Sequence, residues 1–318
     1  MKPFRDWLGA LLALALAMPA FATDAAFRQA VRGEQARAKA PRFERADFLV
    51  RPSITHVALS PDGTRLAFLR GTDERRGLWL RGLDGTEQQL LASSDATDLA
   101  WTRDGQWLLV VSPRRLFAVA MAGDRTSRLL TQLGGIDERT FMDVDPSRPA
   151  SVVVHEREGR LLRIDIDGRQ TVVAELPQRI DGYAFDRLGR LRFLQAIQDD
   201  PLVIWQVPPR GALREVLRCA SMHRCTLWPL TDDKGRAVVL GDVGRSRRTL
   251  QRLETGGRVV NLLDDDRPDG ELDEVAADPA SASPLLARFA GTTVHYRGTD
   301  ASAQRHVDAI ERRFPSRA

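Results

Sequence analysis

The sequence contains none of the short motifs that place catalytic groups in common enzyme families. It has no Gly-x-Ser-x-Gly nucleophile elbow, no Walker loop, no dinucleotide-binding glycine pattern and no His-Glu-x-x-His pair. Histidine is scarce, and no Ser or Cys nucleophile directly neighbours His56, His155, His223, His295 or His306. We therefore predict that these 318 residues are not an enzyme and have no catalytic residue and no cofactor.

Cysteine is almost absent, since the chain has only Cys219 and Cys225. Two cysteines this close together favour a disulfide if the protein folds in an oxidising compartment. The alternative is a metal site that adds His223 to the two thiols. That set lacks a fourth ligand and matches no standard zinc spacing, so we predict no metal site.

An excess of charge of one sign is also lacking. The chain has 47 Lys and Arg residues against 43 Asp and Glu residues, and only three of the basic residues are lysines. Basic and acidic residues are interspersed, and no basic stripe alternates with aromatic residues that could stack on bases. The composition therefore predicts no nucleic-acid partner.

Only one long apolar run is present, at Leu8–Ala17, and it follows Lys2 and Arg5. With the small residues at Ala20 and Ala22, this pattern is typical of a secretory signal peptide that is cleaved after Ala22. An uncleaved membrane anchor is the weaker alternative, because the run is shorter than the roughly 20 residues that span a bilayer. We predict a periplasmic or secreted protein with no membrane span after signal cleavage.

What the sequence does contain is a repeat. The phrase Ser-Pro-Asp-Gly at 60–63 separates two apolar segments, and a similar phrase returns at 102–105 and, weakened, before Gly189. The glycines Gly63, Gly105 and Gly189 lie 42 and then 84 residues apart, and a degenerate copy at 144–149 fills the longer gap. Such pairs supply the positive φ angle that tight hairpin turns require. The predicted turn residues are Asp62, Gly63, Asp104, Gly105, Asp167, Gly168 and Gly189.

A second hairpin pattern follows the first within each repeat, which gives four short antiparallel strands in about 42 residues. This is the pattern of a β-propeller blade, whereas a β-sandwich, the main alternative, has no fixed four-strand period. We predict an all-β propeller with about six visible blades, or an incomplete seven- or eight-bladed ring. The first strands are expected to centre near Val57, Ala100, Val144, Ala184, Trp228 and Ala276.

The domain boundaries follow from these patterns. We expect a signal peptide at 1–22, a leader or linker at 23–47 and the propeller at 48–300. The last segment, 301–318, is predicted to hold a short amphipathic helix and the truncated start of another blade, because Val307, Ile310 and Phe314 recur at helical spacing.

An acidic segment at 264–271 is the best candidate for a calcium loop. Aligned on Gly270 as the sixth residue, the loop would have Arg267 at its third position and Ala276 at its twelfth. Two ligand positions therefore fail, and we interpret the segment as a solvated connection between blades.

Four segments in order carry a family resemblance: 60–68, 100–105, 141–146 and 163–168. They resemble the propeller of prolyl-oligopeptidase-type serine peptidases, the S9 family of dipeptidyl and acylaminoacyl peptidases, over about residues 45–318. Ser-Pro-Asp-Gly is also common in TolB-type periplasmic propellers. In the peptidases an α/β-hydrolase domain carrying the Ser, Asp and His of the triad follows the propeller. None of those residues has a counterpart here, and Glu156 and Glu158 do not match the acidic pair with which some members bind a substrate amine.

The resemblance implies an exported, non-catalytic propeller that binds or gates peptides for a catalytic α/β-hydrolase domain or chain, as a truncated or split gene product would. The alternative is a free-standing TolB-like periplasmic propeller that acts as a protein-binding scaffold. A third hypothesis is a small-molecule hydrolase or lyase that uses the propeller channel. The expected partner in the first two cases is a peptide or protein ligand.

Overall fold

The computed structural model describes the propeller region almost completely and only short parts of the N-terminal region. The described residues are 25, 27–29, 31–37, 53–72, 75–92, 94–134, 139–157, 159–197, 201–219, 225–254, 257–265, 267, 269–279 and 281–314. The chain divides into two units, Met1–Pro52 and Ser53–Ala318. In the first unit residues 31–35 are helical and exposed, and the predicted signal peptide lies outside the described residues.

The second unit consists of six antiparallel sheets, five with four strands and one with three. Each sheet is built from strands that are consecutive in the sequence, so each sheet is one blade. The strands are β1 (Ile54–Leu59), β2 (Arg65–Thr72), β3 (Arg75–Gly82), β4 (Glu87–Leu91), β5 (Asp98–Trp101), β6 (Trp107–Val111), β7 (Arg115–Ala120), β8 (Ser127–Gln132), β9 (Thr140–Val144), β10 (Ser151–Glu156), β11 (Arg160–Asp165), β12 (Gln170–Glu175), β13 (Ile180–Phe185), β14 (Leu191–Ile197), β15 (Leu202–Gln206), β16 (Arg214–Arg218), β17 (Cys225–Leu227), β18 (Ala237–Gly241), β19 (Thr249–Leu253), β20 (Val259–Leu263), β21 (Glu271–Ala277), β22 (Pro284–Ala290) and β23 (His295–Gly298).

The predicted propeller is confirmed, with six blades. Five of the six predicted strand centres lie in the first strand of a blade, and Trp228 lies one residue beyond β17. The sixth blade has three strands, and the helix α1 (Ala301–Arg313) packs against its last strand. Among the described residues, no sheet combines an early strand with a late one.

Neighbouring blades share one apolar core at each junction. The core falls into five clusters, and each cluster takes residues from two successive blades. The central strands β10 and β18 are buried at every position, because blades pack against both of their faces. Continuous apolar strands such as Ala237–Gly241 therefore form the middle of a blade. Apolar and polar residues alternate only in strands that have one solvated face.

The chain connections give the propeller two distinct faces. The first strand of each blade is innermost, and the turns that follow the first and third strands lie on one face, which we call the turn face. The turns after the second strands and the links between blades lie on the opposite face, the connector face. Tryptophan side chains join adjacent blades: Trp101 Nε1 donates to the Ala58 carbonyl at 3.0 Å, and Trp228 Nε1 donates to the Ala282 carbonyl at 2.9 Å.

The inner turns, between first and second strands, are closed by side-chain hydrogen bonds of two kinds. In the first blade, Ser60 Oγ accepts from Arg65 N at 2.9 Å and donates to Asp62 Oδ1 at 2.6 Å. Thr102 and Asp104 repeat this arrangement in the second blade. In later blades a single aspartate replaces the pair: Asp232 Oδ1 accepts from two backbone N–H groups, at 3.0 and 2.9 Å. Both solutions satisfy turn donors that would otherwise lack partners.

The C-terminal helix α1 covers the edge of the sixth blade. Asp300 caps its N-terminus by accepting from Ser302 N and Ala303 N. The backbone N–H of Gly298, on the edge strand β23, donates to Gln304 Oε1 at 2.9 Å, so the helix also satisfies the strand edge. Of the three apolar residues predicted at helical spacing, Val307 is buried, whereas Ile310 is 59% exposed and Phe314 is also exposed.

Gly298 is the contact on which docking of α1 depends. A Cβ atom at this position would lie 2.1 Å from the backbone nitrogen of Gln304, which cannot move without the helix. We predict that Gly298→Ala lowers the free energy of unfolding by about 2 kcal/mol, measured by urea denaturation. Gly33→Ala is the control, since no atom lies within 4 Å of the added Cβ. Equal stability of the two variants would contradict this account of docking.

The hydrogen bonds in the inner turn of the first blade lead to a prediction about the pKa of Asp62. Hydrogen bonds from the Ser60 hydroxyl and then from Thr64 lower the pKa of Asp62 from 3.8 to about 2. The resulting stabilisation is present above the unfolded-state pKa and is lost as pH falls through about 2. We predict that Ser60→Ala raises the pKa of Asp62, measured by carboxyl-carbon NMR titration. Thr86→Ala, which removes the corresponding hydroxyl beside Asp84, should leave Asp62 unchanged. An unchanged Asp62 pKa in Ser60→Ala would contradict the assignment.

The two cysteines lie at the link between the fourth and fifth blades, on the connector face. The structure pairs Cys219 with Cys225, and their Cα atoms are 6.1 Å apart. We predict that the unreduced protein, denatured in guanidinium, reacts with no thiol reagent and releases two thiols after reduction. Two reactive thiols before reduction would exclude the disulfide.

Candidate functional site

The candidate site lies near the second residues of the six inner turns. These residues follow the C-terminal ends of the first strands, so all six lie on the turn face. Four of them line the cavity at the channel mouth, and the other two lie beside it. Three are prolines, which restrict the backbone of the rim, and the other three are charged. In blade order they are Pro61, Arg103, Pro146, Arg187, Asp233 and Pro279.

A cavity of about 470 Å³ occupies this mouth. Its lining comes from five of the six blades and is apolar except for three charged side chains, Arg103, Asp143 and Asp278. Proline, alanine, valine and tryptophan form most of the wall, with Trp101 and Trp228 in different blades. An apolar cavity of this size with a few converging polar groups is the usual form of a ligand site.

Asp143 is the most perturbed carboxyl group in the cavity. It lies near the end of the innermost strand β9, and its Oδ1 accepts from Val144 N at 2.7 Å. The side chain is exposed to the channel, and partial desolvation by the surrounding protein atoms raises the pKa of Asp143 from 3.8 to about 6. The negative charges of Asp98 and Asp145 act in the same direction, whereas the Val144 N–H and Arg103 oppose the shift.

Arg103 faces the same space from the second blade. Burial lowers the pKa of its guanidinium, and the nearby positive charge of Arg187 adds to this effect, while Asp278 and Asp143 oppose it. The Arg103 backbone N–H donates to the Pro149 carbonyl of the third blade at 3.1 Å, which fixes the turn that carries the side chain. The mouth therefore places one cation among carboxylates in a site that is poor in bulk water.

Arg187 ties three blades together beside this cavity. Its Nε donates to Asp233 Oδ1 at 2.9 Å, in the fifth blade, and its Nη2 donates to Ser283 Oγ at 3.3 Å, in the sixth. The pair with Asp233 is exposed and therefore weak. Its importance is positional, since it holds the turns of three blades in fixed order around the mouth.

The turn residues predicted from the repeat frame the site without lining it. Asp62, Gly63, Asp104, Gly105 and Gly189 lie in inner turns, and the four glycines of the predicted set have φ between 65° and 87°. Asp167 and Gly168 lie in the outer turn of the third blade. None of the seven is in the wall of the cavity.

His155 and Glu156, which were considered in the sequence analysis, lie in the third blade. His155 is buried beside Glu156, which receives hydrogen bonds from Arg139 Nε at 2.8 Å and an ion pair from Arg160 at 2.8 Å. His223 and Glu158 lie outside the described residues. No group of His, Cys, Asp and Glu among the described residues could hold a metal ion.

The interpretation of 264–271 as a solvated connection is wrong for its central carboxylate. The side chain of Asp265 is only 1% exposed, and its Oδ1 lies 2.9 Å from His295 Nε2. Arg267 N also donates to it at 3.1 Å. Gly270 makes this burial possible, because a Cβ there would overlap the Asp265 carboxylate. The segment joins the fifth and sixth blades through a buried carboxylate rather than through solvent.

Sequence reasoning missed Asp143 and Arg103. Asp143 precedes the degenerate third copy of the repeat, so no glycine marks its turn. Its signal was positional: it lies near the end of a first strand, whose side chains alternately face the channel. Arg103 occupies the turn position that prolines occupy in three other blades, but Arg187 and Asp233 occupy it in the remaining two, so the sequence contains no signal specific to Arg103.

In the part of the chain that the structure describes, no helix has the length and apolar character needed to cross a membrane. Residues 47–169 match the family model described as the lipoprotein LpqB β-propeller domain, which is less than half of the chain. No match is found among curated protein sequences.

Three solved structures share the fold. The acylaminoacyl peptidase of Pyrococcus horikoshii is 14% identical with a TM-score of 0.51, over 79% of this chain and 44% of the peptidase. The β-propeller domain of the trilobed protease from Pyrococcus furiosus, described as having an open velcro topology, is 14% identical with a TM-score of 0.50, over 78% of this chain and 82% of that one.

An oligogalacturonate lyase from Vibrio parahaemolyticus is 13% identical with a TM-score of 0.50, over 80% of this chain and 76% of the lyase. At these identities the similarity shows the fold alone, and this chain spans less than half of the acylaminoacyl peptidase. The chain is a six-bladed β-propeller that resembles the propeller domains of S9 peptidases, as the sequence motifs predicted.

Proposed function

We propose that this protein is a non-catalytic β-propeller that binds peptide segments at the mouth of its channel. A cationic group of the bound peptide contacts Asp143. The observation that carries the proposal is the position of Asp143 in the wall of an otherwise apolar cavity of about 470 Å³, beside Asp278 and Arg103. The carboxyl group of Asp143 is accessible from the channel, and the surrounding protein raises its pKa to about 6. A carboxylate in this condition gains more from a bound ammonium or guanidinium than a fully solvated one does.

The shape and chemistry of the cavity support a peptide as the ligand. An α-amino group or a basic side chain would meet Asp143, and Asp278 adds a second acidic group. A backbone carbonyl or carboxylate would meet Arg103, and apolar side chains would meet the surrounding Pro, Val and Trp walls. Few ligands other than a peptide carry all three kinds of group within a few ångströms.

Resemblance to peptidase propellers supports the same ligand class. We propose that the chain binds or gates peptides for a catalytic domain or chain, and that the chain itself has no hydrolytic role. Export to the periplasm or the exterior is part of the proposal: it rests on the predicted signal peptide at 1–22 and on the match to a lipoprotein propeller model.

A second candidate function is a protein-binding scaffold. Two leucines in turns of the turn face favour it, because Leu83 is 80% exposed and Leu188 is 74% exposed. The two leucines lie in the first and fourth blades, where a folded partner that spans the turn face would cover both. The two functions differ in what removes binding: substitution of Asp143 abolishes recognition of short peptides, whereas substitution of the two leucines by serine weakens only a folded partner.

We predict that tetraalanine amide with a free amino group binds the protein and that Asp143→Asn weakens this binding by about tenfold or more. Affinity should rise as pH increases through about 6, where Asp143 ionises, and fall above about 8, where an α-amino group loses its proton. Isothermal titration calorimetry across this pH range measures both limbs. Asp167→Asn, in an outer turn away from the cavity, is the matched control and should bind as the native protein does.

N-acetyl tetraalanine amide tests the contribution of the amine. It should bind at least tenfold more weakly to the native protein and equally poorly to Asp143→Asn. If acetylation and Asp143→Asn both leave the affinity unchanged, the amine does not bind at Asp143 and the proposal is wrong.

A further inference from the structure

A second cavity lies between the fifth and sixth blades and opens on the same face as the channel mouth. Its volume is about 260 Å³, and large apolar side chains of the fifth blade form part of its wall. A dry cavity of about 150 Å³ lined by similar side chains is large enough to bind benzene. The six wall residues are Trp228, Leu230, Val238, Leu250, Leu262 and Leu263.

The charged residues at the rim of this cavity already have partners. Arg187 is bonded to Asp233 and Ser283, and Arg252 donates to Glu254 at 2.9 Å. Thr299 Oγ1, also in the lining, donates to the Pro284 carbonyl at 2.7 Å. What the cavity offers to a ligand is therefore mainly apolar surface.

Trp228 lines both this cavity and the channel mouth. Its indole is held in place because Nε1 donates to the Ala282 carbonyl of the sixth blade at 2.9 Å. The two cavities are therefore neighbours separated by one aromatic side chain. A peptide extends by about 3.3–3.6 Å per residue, so a short peptide anchored in the mouth can place a side chain in the second cavity.

We infer that the cavity between the fifth and sixth blades is a specificity pocket for one large apolar side chain, such as phenylalanine, of the peptide whose amine binds Asp143. The inference rests on the proposed function for the position of the amine. The pocket gives the peptide a second apolar space, separate from the mouth and large enough for a ring. The protein would then recognise two features of a peptide, which are a positive charge and an apolar side chain at a fixed distance from that charge.

The test is a positional scan with four variants of tetraalanine amide, each carrying phenylalanine at one position. We expect one position to bind about tenfold more tightly than tetraalanine amide, because burial of the ring adds favourable transfer energy. Equal affinity at all four positions would overturn the inference, and it would leave the dependence on Asp143 intact.

The indole N–H signals of tryptophan in NMR spectra show where the phenylalanine ring of the peptide binds. Trp228 and Trp101 both donate their indole N–H to a carbonyl of a neighbouring blade, but only Trp228 lines the second cavity. The phenylalanine peptide should shift the Trp228 signal more than tetraalanine amide does and should affect Trp101 equally in the two cases. An added shift at Trp101 alone would place the ring in the channel mouth and overturn the inference.

Filling the pocket gives an independent readout. Leu262 lines the cavity and is 40% exposed, so Leu262→Trp adds bulk there without disturbing the core. We expect this variant to lose the tenfold preference for phenylalanine and to bind tetraalanine amide as the native protein does. Leu83→Trp, an exposed position in another blade, is the matched control and should keep the preference. Retention of the preference in Leu262→Trp would contradict the assignment.

Acetylated peptides separate this inference from the proposed function. If the preferred phenylalanine peptide binds equally well with and without its N-acetyl group, and Leu262→Trp still removes the preference, the pocket is correctly assigned and the amine site is not. If acetylation weakens binding but no position prefers phenylalanine, the amine site stands and the pocket does not.

Discussion

Packing between neighbouring blades is the constraint from which the rest of this structure follows. A single four-stranded blade exposes apolar faces that it cannot bury alone, so each blade depends on packing against its neighbours in the sequence. The apolar clusters that join successive blades express this directly. Because every blade packs in the same way, every first strand ends on the same face, and six inner turns meet around one channel. The site is therefore a product of the repeat, although no single repeat contains it.

This origin explains the chemistry of the mouth. Convergence of several turns brings Asp143, Arg103 and Asp278 into one cavity. The surrounding protein replaces part of the water around Asp143, so the pKa of its carboxyl group rises to about 6. Arg103 responds in the opposite direction to the same loss of water, and the pKa of its guanidinium falls. A bound peptide with its own charges would replace the missing solvent, which is the physical basis for ligand binding here.

The fold could be predicted from the sequence because its turns require particular residue types. Asp62-Gly63 and Asp104-Gly105 need specific residues for local reasons, so their spacing survives in a chain whose core residues are interchangeable. The candidate site was not readable in this way. Asp143 and Trp228 belong to the candidate site because of neighbours that are far away in the sequence. Likewise, burial of Asp265 against His295 depends on contact between two segments about 30 residues apart. Local patterns carry no information about such contacts, and for this reason the buried Asp265 was predicted to be solvated like the exposed Asp269 and Glu271.

The most direct measurement of the central claim is the pKa of Asp143 in the free protein, obtained from carboxyl-carbon NMR titration with Asp143→Asn used to assign the signal. The account predicts a value of about 6, and a marked decrease when a peptide with a free amino group is bound. A value close to the ordinary 3.8 that does not move on addition of peptide would show that the channel mouth is an ordinary solvated surface, and would contradict the account.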